Sequence, residues 1–219
     1  MLIRNRLISF FVRVGFLLVL LAVAVPYLVA RESWAYFLEF ETGLGLVYLV
    51  VLALMILFNI IDLRHGIHGI PAGFYMPIKL PLVAFLFFGN FFYFVYGLPT
   101  GYSSSSLTSI LFHAFFLAVP TLEWLFFDIK GTVRPRVAFM AMLYPVFYVI
   151  IIGFRTLIWP TALLPNGAMY PYPFLKPGWD LFILWAILSY VVLYLTVLLY
   201  IFLNNLLAGR YRRQDIDPF

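Results

Sequence analysis

One histidine in a long apolar stretch is the residue best suited to chemistry in this chain. His113 lies about nine residues into a predicted membrane span and so near the middle of the bilayer, with Ser109 one helical turn earlier on its face. A neutral imidazole offers one donor and one acceptor, so it can act as a general base. A packed histidine with one satisfied hydrogen bond is the alternative. Because polarity at membrane depth is costly, we treat His113 as a candidate catalytic residue.

Two carboxylates and a threonine open the second predicted span. Glu39 and Thr42 share a face through their three-residue spacing, whereas Glu41 points elsewhere. One interpretation is that the glutamates contact headgroup water, and Glu41 suits that role better than Glu39. The other is that Glu39 or Thr42 supplies a nucleophile or a partner for His113.

Two further charges lie near the ends of predicted spans. Arg155 ends the fifth span on the side where the glutamates enter the bilayer, which predicts a salt bridge to Glu39 or Glu41. Glu123 follows His113 by about 15 Å along the helix axis, too far for direct contact. We expect Glu123 to pair with a basic residue near the other side of the membrane or to cap a neighbouring helix.

Metal and cofactor motifs are not evident in the sequence. Asp62, His65 and His68 are spaced three apart, but the adjacent glycines favour a turn over a metal site. The chain has no cysteine, which excludes disulfides and thiolate ligands. There is no phosphate loop, dinucleotide fingerprint or nucleophile elbow, so we expect neither a metal nor a cofactor.

The elements that must position these residues are membrane-spanning helices. Of the 219 residues, 65% are hydrophobic and 11% are charged, against about 25% charged in an ordinary soluble domain. A span needs roughly 20 mostly apolar residues. The sequence therefore predicts an all-α polytopic membrane protein, a bundle of six transmembrane helices forming a single domain over 1–219. The predicted spans are 7–29, 36–61, 78–97, 105–127, 137–158 and 179–205.

The basic residues predict the orientation of the bundle. With the N-terminus inside, only three of the 14 Lys and Arg fall outside, namely Arg31, Arg155 and Lys176. This asymmetry predicts that both termini lie on the cytoplasmic or equivalent side. The net charge of +5 is then a topology signal, and we expect no nucleic-acid partner. The first span loosely resembles a signal peptide, but its apolar run is longer than a signal core, so we expect it to be retained.

Several residues, taken in order, resemble a known family. They are His113, Glu123-Trp124-Leu125-Phe126-Phe127, Tyr144-Pro145 with Tyr148, Arg155, and Tyr170-Pro171-Tyr172-Pro173-Phe174-Leu175. This order resembles the bacterial six-helix relatives of the androgen-induced membrane proteins over roughly 110–205, and the likeness is loose before that. The resemblance implies a bacterial-type inner membrane, with an organelle membrane as the alternative.

The resemblance also implies an activity. Animal members of the wider family hydrolyse fatty acid esters of hydroxy fatty acids, with a threonine in an early helix and a histidine in a later one. His113 matches that histidine, which would take the hydroxyl proton while the threonine attacks the ester. At the threonine position this chain has Glu39, and Thr42 lies one turn deeper on the same face. The candidate catalytic residues are thus His113, Thr42 and Glu39, and the candidate binding residues are Glu41, Arg155 and Tyr172.

Three functions stay open at this point. The first is a lipid-ester hydrolase with its site in the outer half of the bundle. The second is a non-catalytic subunit or assembly factor of a larger membrane complex, favoured by the small extramembrane mass and the replaced threonine. The third is a carrier or channel, although paired repeats and broken helices are not evident. The expected partners are membrane lipids and, for the second function, other membrane subunits.

Overall fold

The fold is a bundle of long apolar helices. The computed structural model describes residues 3–30, 39–101, 103–158, 172 and 182–212. These residues are mostly helical, and no strand occurs among them. Six helical segments in this part of the chain are long and apolar enough to cross a membrane. The protein is therefore all-α and an integral membrane protein with six candidate spans, as the sequence predicts.

The helix bounds follow the predicted spans closely. In chain order the helices are α1 Arg6–Val29, α2 Phe40–Arg64, α3 Met76–Phe92, α4 Leu107–Phe127, α5 Arg136–Ala141, α6 Leu143–Ile158 and α7 Phe182–Arg212. A π-helical turn, Tyr93–Gly97, extends α3. The predicted starts at 36 and 179 lie outside the described residues, and α7 continues past the predicted end at 205.

The fifth predicted span, 137–158, is confirmed as a candidate membrane span, and the structure adds that it consists of two helices. The first part ends at Ala141 and the second begins at Leu143. Pro145 has no amide hydrogen to donate to the Ala141 carbonyl, so a hydrogen bond that would join the two helices cannot form. The Met142 amide instead bonds back to the Phe139 carbonyl at 3.2 Å and closes the end of α5.

The centre of the bundle is built around α3 and α4. α3 packs against α2, α4 and α7, while α1 packs against α2 and α4. Gly45 and Gly89 allow close approach between helices, because a Cβ at Gly45 would lie 3.0 Å from the Phe116 ring and one at Gly89 would lie 3.0 Å from Glu41 Cβ. By contrast, α6 exposes large apolar side chains such as Phe147 and Phe154, as expected of a surface that faces lipid.

The two ends of the bundle differ in charge. α1 begins where α2 and α4 end, since the Ile3 amide donates to the Phe126 carbonyl at 3.0 Å and Arg6 lies 3.3 Å from Asp62. Gly66, at φ +74°, makes the turn that follows α2, as predicted for the Asp62 to His68 segment. We call this side the basic end, and its described basic residues include Arg4, Arg6, Arg64, Lys130, Arg134 and Arg136. We call the other side, where Glu39 and Arg155 lie, the opposite end.

The predicted orientation can be tested by labelling, because the chain has no cysteine of its own. Ser105 lies in the loop before α4 at the opposite end, His68 lies at the basic end, and both are exposed. We expect Ser105→Cys to react with a membrane-impermeant maleimide on intact cells, and His68→Cys to react only after permeabilisation. Labelling of His68→Cys alone on intact cells would contradict the orientation.

Two buried polar clusters as candidate functional sites

Among the described residues, the largest concentration of buried charge lies near the basic end. Arg13 from α1, Lys79 from α3, Glu123 from α4 and Asp128, the residue after α4, are each at most 2% exposed. Lys79 Nζ lies 2.7 Å from Asp128 Oδ1 and also contacts the Glu123 carboxylate. Arg13 Nε donates to Glu123 Oε1 at 2.8 Å. We call these four residues the ion cluster, and it confirms the prediction that Glu123 pairs with basic residues.

The surrounding polar groups tie further elements to the ion cluster. Arg13 also donates to the Ala72 carbonyl, and the Ala72 amide donates to Asn59 Oδ1 of α2 at 2.9 Å. On the other side, the Lys130 ammonium lies 4.3 Å from the centre of the Trp124 ring. The loops at both sides of the ion cluster are thus attached to the helices that carry it.

The charges of the ion cluster balance. Two cations face two anions, which is the arrangement that makes buried charge tolerable. Asp128 lies at the edge of the ion cluster, beyond the end of α4. Burial and repulsion by the Glu123 carboxylate raise the pKa of Asp128 to about 6. Burial also lowers the pKa of Lys130 to about 8.

The second cluster surrounds His113 near the opposite end. His113 is 2% exposed, and its Nδ1 lies 2.9 Å from Oδ1 of Asn90 on α3. Its ring stacks on Tyr93, from the π-helical turn, with 3.7 Å between ring centres. The Tyr27 ring meets the imidazole edge-on at 5.9 Å. The imidazole is therefore held in one orientation by three elements, α1, α3 and the π-helical turn.

The hydrogen bonds of Asn90 decide which nitrogen of His113 carries the proton. Asn90 Nδ2 donates to the Leu86 carbonyl at 2.7 Å, so its Oδ1 faces His113. An amide oxygen can only accept, and therefore the proton lies on His113 Nδ1. The lone pair is then on Nε2, which is the form of the imidazole that can act as a base.

Glu39 and Thr42 lie beside this histidine cluster. Glu39 is the residue before α2 rather than part of its first turn. Its Oε2 accepts hydrogen bonds from the Thr42 hydroxyl and from the Tyr27 hydroxyl, both at 3.1 Å. Since Tyr27 also contacts the His113 ring, it connects Glu39 to the histidine. Thr42, Glu39 and Tyr27 thus form a hydrogen-bonded chain whose last member packs against the His113 ring.

The candidate binding residues come from different parts of the chain, since Glu41 lies on α2, Arg155 on α6 and Tyr172 between α6 and α7. Glu41 is buried at 7% exposure, so the interpretation in which it contacts headgroup water does not hold for this residue. It faces α3 at Gly89, whose missing side chain leaves room for it, and its carboxylate accepts a hydrogen bond from the Tyr172 hydroxyl. Arg155 is also buried, at 5% exposure, and its salt bridge to Glu39 or Glu41 stays a prediction. Apart from Tyr172, the string from Tyr170 to Leu175 lies outside the described residues.

An apolar cavity of about 420 Å³ adjoins the binding residues. It lies between α3, α6 and α7, and Phe88, Val149 and Leu193 are among its walls. Phe40 and Tyr172 also line it, and the Phe40 amide donates to the Tyr172 hydroxyl at 3.2 Å. A hydrocarbon chain in this cavity would therefore lie next to the pair formed by Tyr172 and Glu41.

Comparisons with protein families, with curated proteins and with solved structures give no match for this chain. The resemblance to the androgen-induced membrane proteins therefore stays a prediction. Among the described residues, no group of three His, Asp or Glu side chains is arranged to hold a metal ion.

The ion cluster can be tested by a double-mutant cycle. Lys79→Met and Glu123→Gln each leave one buried charge unbalanced, so each should lower the free energy of unfolding by about 3 to 5 kcal/mol. The double variant keeps Arg13 with Asp128 and restores the charge balance. We expect the double variant to lose less free energy of unfolding than the sum of the losses in the two single variants, by about 0.5 to 3 kcal/mol. Exposed Arg64→Met at the same end is the control, and strict additivity of the two losses would contradict direct pairing.

The raised pKa of Asp128 predicts a pH dependence. Its pKa in the folded protein, about 6, lies above the ordinary value of 3.8, so the folded state binds the proton more tightly. The contribution of this residue to stability therefore rises as the pH falls through about 6 and levels off below about 4. Wild-type protein should gain thermal stability over this range relative to Asp128→Asn. Melting temperatures that follow the same pH profile in both proteins would contradict this.

Proposed function

We propose that the protein is an intramembrane lipid-ester hydrolase with its site at the opposite end of the bundle. The observation that carries this proposal is the hydrogen bond between Asn90 and His113. It orients the imidazole and leaves the lone pair on Nε2, the state required of a general base. An asparagine that orients a catalytic histidine also occurs in hydrolases of the Cys-His-Asn type.

Thr42 is the proposed nucleophile. In the first step His113 takes the hydroxyl proton, Thr42 Oγ1 attacks the ester carbonyl, and the alcohol leaves with the proton returned by His113. In the second step His113 takes a proton from water, and the resulting hydroxide attacks the carbonyl of the acyl-threonine. The bond between that carbonyl and Thr42 Oγ1 then breaks, the fatty acid leaves, and His113 returns the proton to Thr42 Oγ1. Glu39 accepts a hydrogen bond from the Thr42 hydroxyl at 3.1 Å, and this hydrogen bond must break before His113 can take the proton.

The apolar cavity supports a lipid substrate. Its walls are aromatic and aliphatic side chains, and it reaches Phe40, two residues from Thr42. The exposed apolar surface of α6, which forms one wall, gives a hydrocarbon chain a way in from the bilayer. A fatty acyl ester suits this environment better than a water-soluble ester does.

The proposal is tested by ester hydrolysis with purified protein in liposomes that contain a long-chain fatty acid ester. His113→Ala should lower kcat at least about a hundredfold, because it removes the general base. Thr42→Ala should prevent the covalent acyl intermediate, which mass spectrometry detects on the intact chain. His68→Ala removes an exposed histidine at the basic end and should leave hydrolysis unchanged. Equal hydrolysis by wild type and His113→Ala would end the proposal.

A second candidate function is that of a non-catalytic subunit in a larger membrane complex. The hydrogen bond from Thr42 to Glu39 favours it, since this contact turns the hydroxyl proton toward a carboxylate rather than toward the imidazole. The exposed apolar faces of α6 and α7 would then contact another membrane protein. Recovery of a stoichiometric partner from native membranes, together with absence of ester hydrolysis, would favour this second function.

A further inference from the structure

A cleft of about 880 Å³ runs along the side of the bundle between α2, α3 and the α5–α6 pair. We propose that this cleft binds an anionic phospholipid from the leaflet at the basic end. The proposal concerns a different face from the histidine cluster, and it holds or fails independently of the hydrolase activity.

The walls of the cleft suit a hydrocarbon chain. Its α2 wall includes Val47, its α3 wall runs from Pro77 to Phe85, and its α5 wall includes Ala141. At 1.5 Å per residue, the α3 wall extends about 12 Å into the bundle from the basic end. An acyl chain that enters at the basic end would therefore lie along α3 toward the middle of the membrane.

The mouth of the cleft suits a phosphate. Arg134 and Arg136 both line it at the basic end, and both side chains are exposed. No acidic side chain is among the described residues that line the cleft. The nearby Asp128 is buried and engaged by Lys79, so it does not compete for these arginines. Guanidinium groups bind phosphate through paired hydrogen bonds, and basic pockets between transmembrane helices bind anionic headgroups.

The packing of α5 explains why the cleft is open. α5 packs against α3 and α7, which leaves the side of α3 next to α2 uncovered. A cleft that opens sideways at membrane depth is filled by lipid unless a protein covers it. A second copy of this chain in a two-fold contact would bring the arginine pairs of both copies into one interface with no acidic side chain lining the cleft to balance them, which is unfavourable. Charge complementarity therefore selects an anionic lipid as the occupant.

The test is native mass spectrometry of the full chain titrated with phosphatidylglycerol or with phosphatidylcholine. Wild-type protein should retain one phosphatidylglycerol more tightly than phosphatidylcholine. Arg134→Gln combined with Arg136→Gln should weaken phosphatidylglycerol binding about 25-fold, at about fivefold for each arginine near a membrane surface. Arg64→Gln removes an exposed arginine at the same end but outside the cleft, and it should leave the affinity unchanged.

A second variant separates the cleft from general surface attraction. Val47 is 51% exposed on the α2 wall, so Val47→Trp fills the cleft without disturbing the core. It should weaken phosphatidylglycerol binding while both arginines are present. The proposal is overturned if Val47→Trp binds phosphatidylglycerol as tightly as wild type does. It is also overturned if Arg64→Gln loses as much affinity for this lipid as the double arginine variant, or if wild type binds both lipids equally. A two-chain species that Val47→Trp abolishes would assign the cleft to a second copy and overturn it as well.

Discussion

The contact between Lys79 and the Glu123 carboxylate, shared with Arg13, is the interaction on which the rest of the bundle depends. It joins α1, α3 and α4 at a depth where an unpaired charge would cost several kcal/mol. It also sets the register of α3 against α4. The rise from Lys79 to Asn90 on α3 is about 16.5 Å, and the rise from His113 to Glu123 on the antiparallel α4 is nearly the same, about 15 Å. The pairing at the basic end therefore places Asn90 beside His113 at the other.

Much of this architecture could be predicted from the sequence, because the bilayer forces apolar runs into helices and makes each buried charge conspicuous. The need of Glu123 for a cation was predictable for that reason. Its partners were not, since Arg13 and Lys79 lie close enough to predicted span ends to count as cytoplasmic charges. Whether such side chains turn inward depends on helix rotation, which the nearly uniform apolar sequence does not specify.

At the candidate site, too, the sequence indicated some polar residues but not the residues that contact them. His113, Glu39 and Thr42 were conspicuous as polar residues within apolar runs, but Tyr27 and Asn90 were missed. Asn90 follows Gly89 in a run of aromatic residues, and an amide in such a run is a signal of a buried partner. Tyr27 was a weaker signal of a buried contact, because tyrosines near span ends are common at the headgroup boundary. The break before Leu143 could have been read from Pro145.

Lys79 and Glu123 are in direct contact within the bundle, and this contact can be measured in the membrane. Solid-state NMR in lipid, with ¹⁵N in lysine side chains and ¹³C in glutamate carboxylates, measures this contact through the dipolar coupling of the two nuclei. We predict a strong coupling that is lost in Lys79→Met. Absence of any coupling that depends on Lys79 would contradict the ion cluster, and with it the register that places Asn90 beside His113.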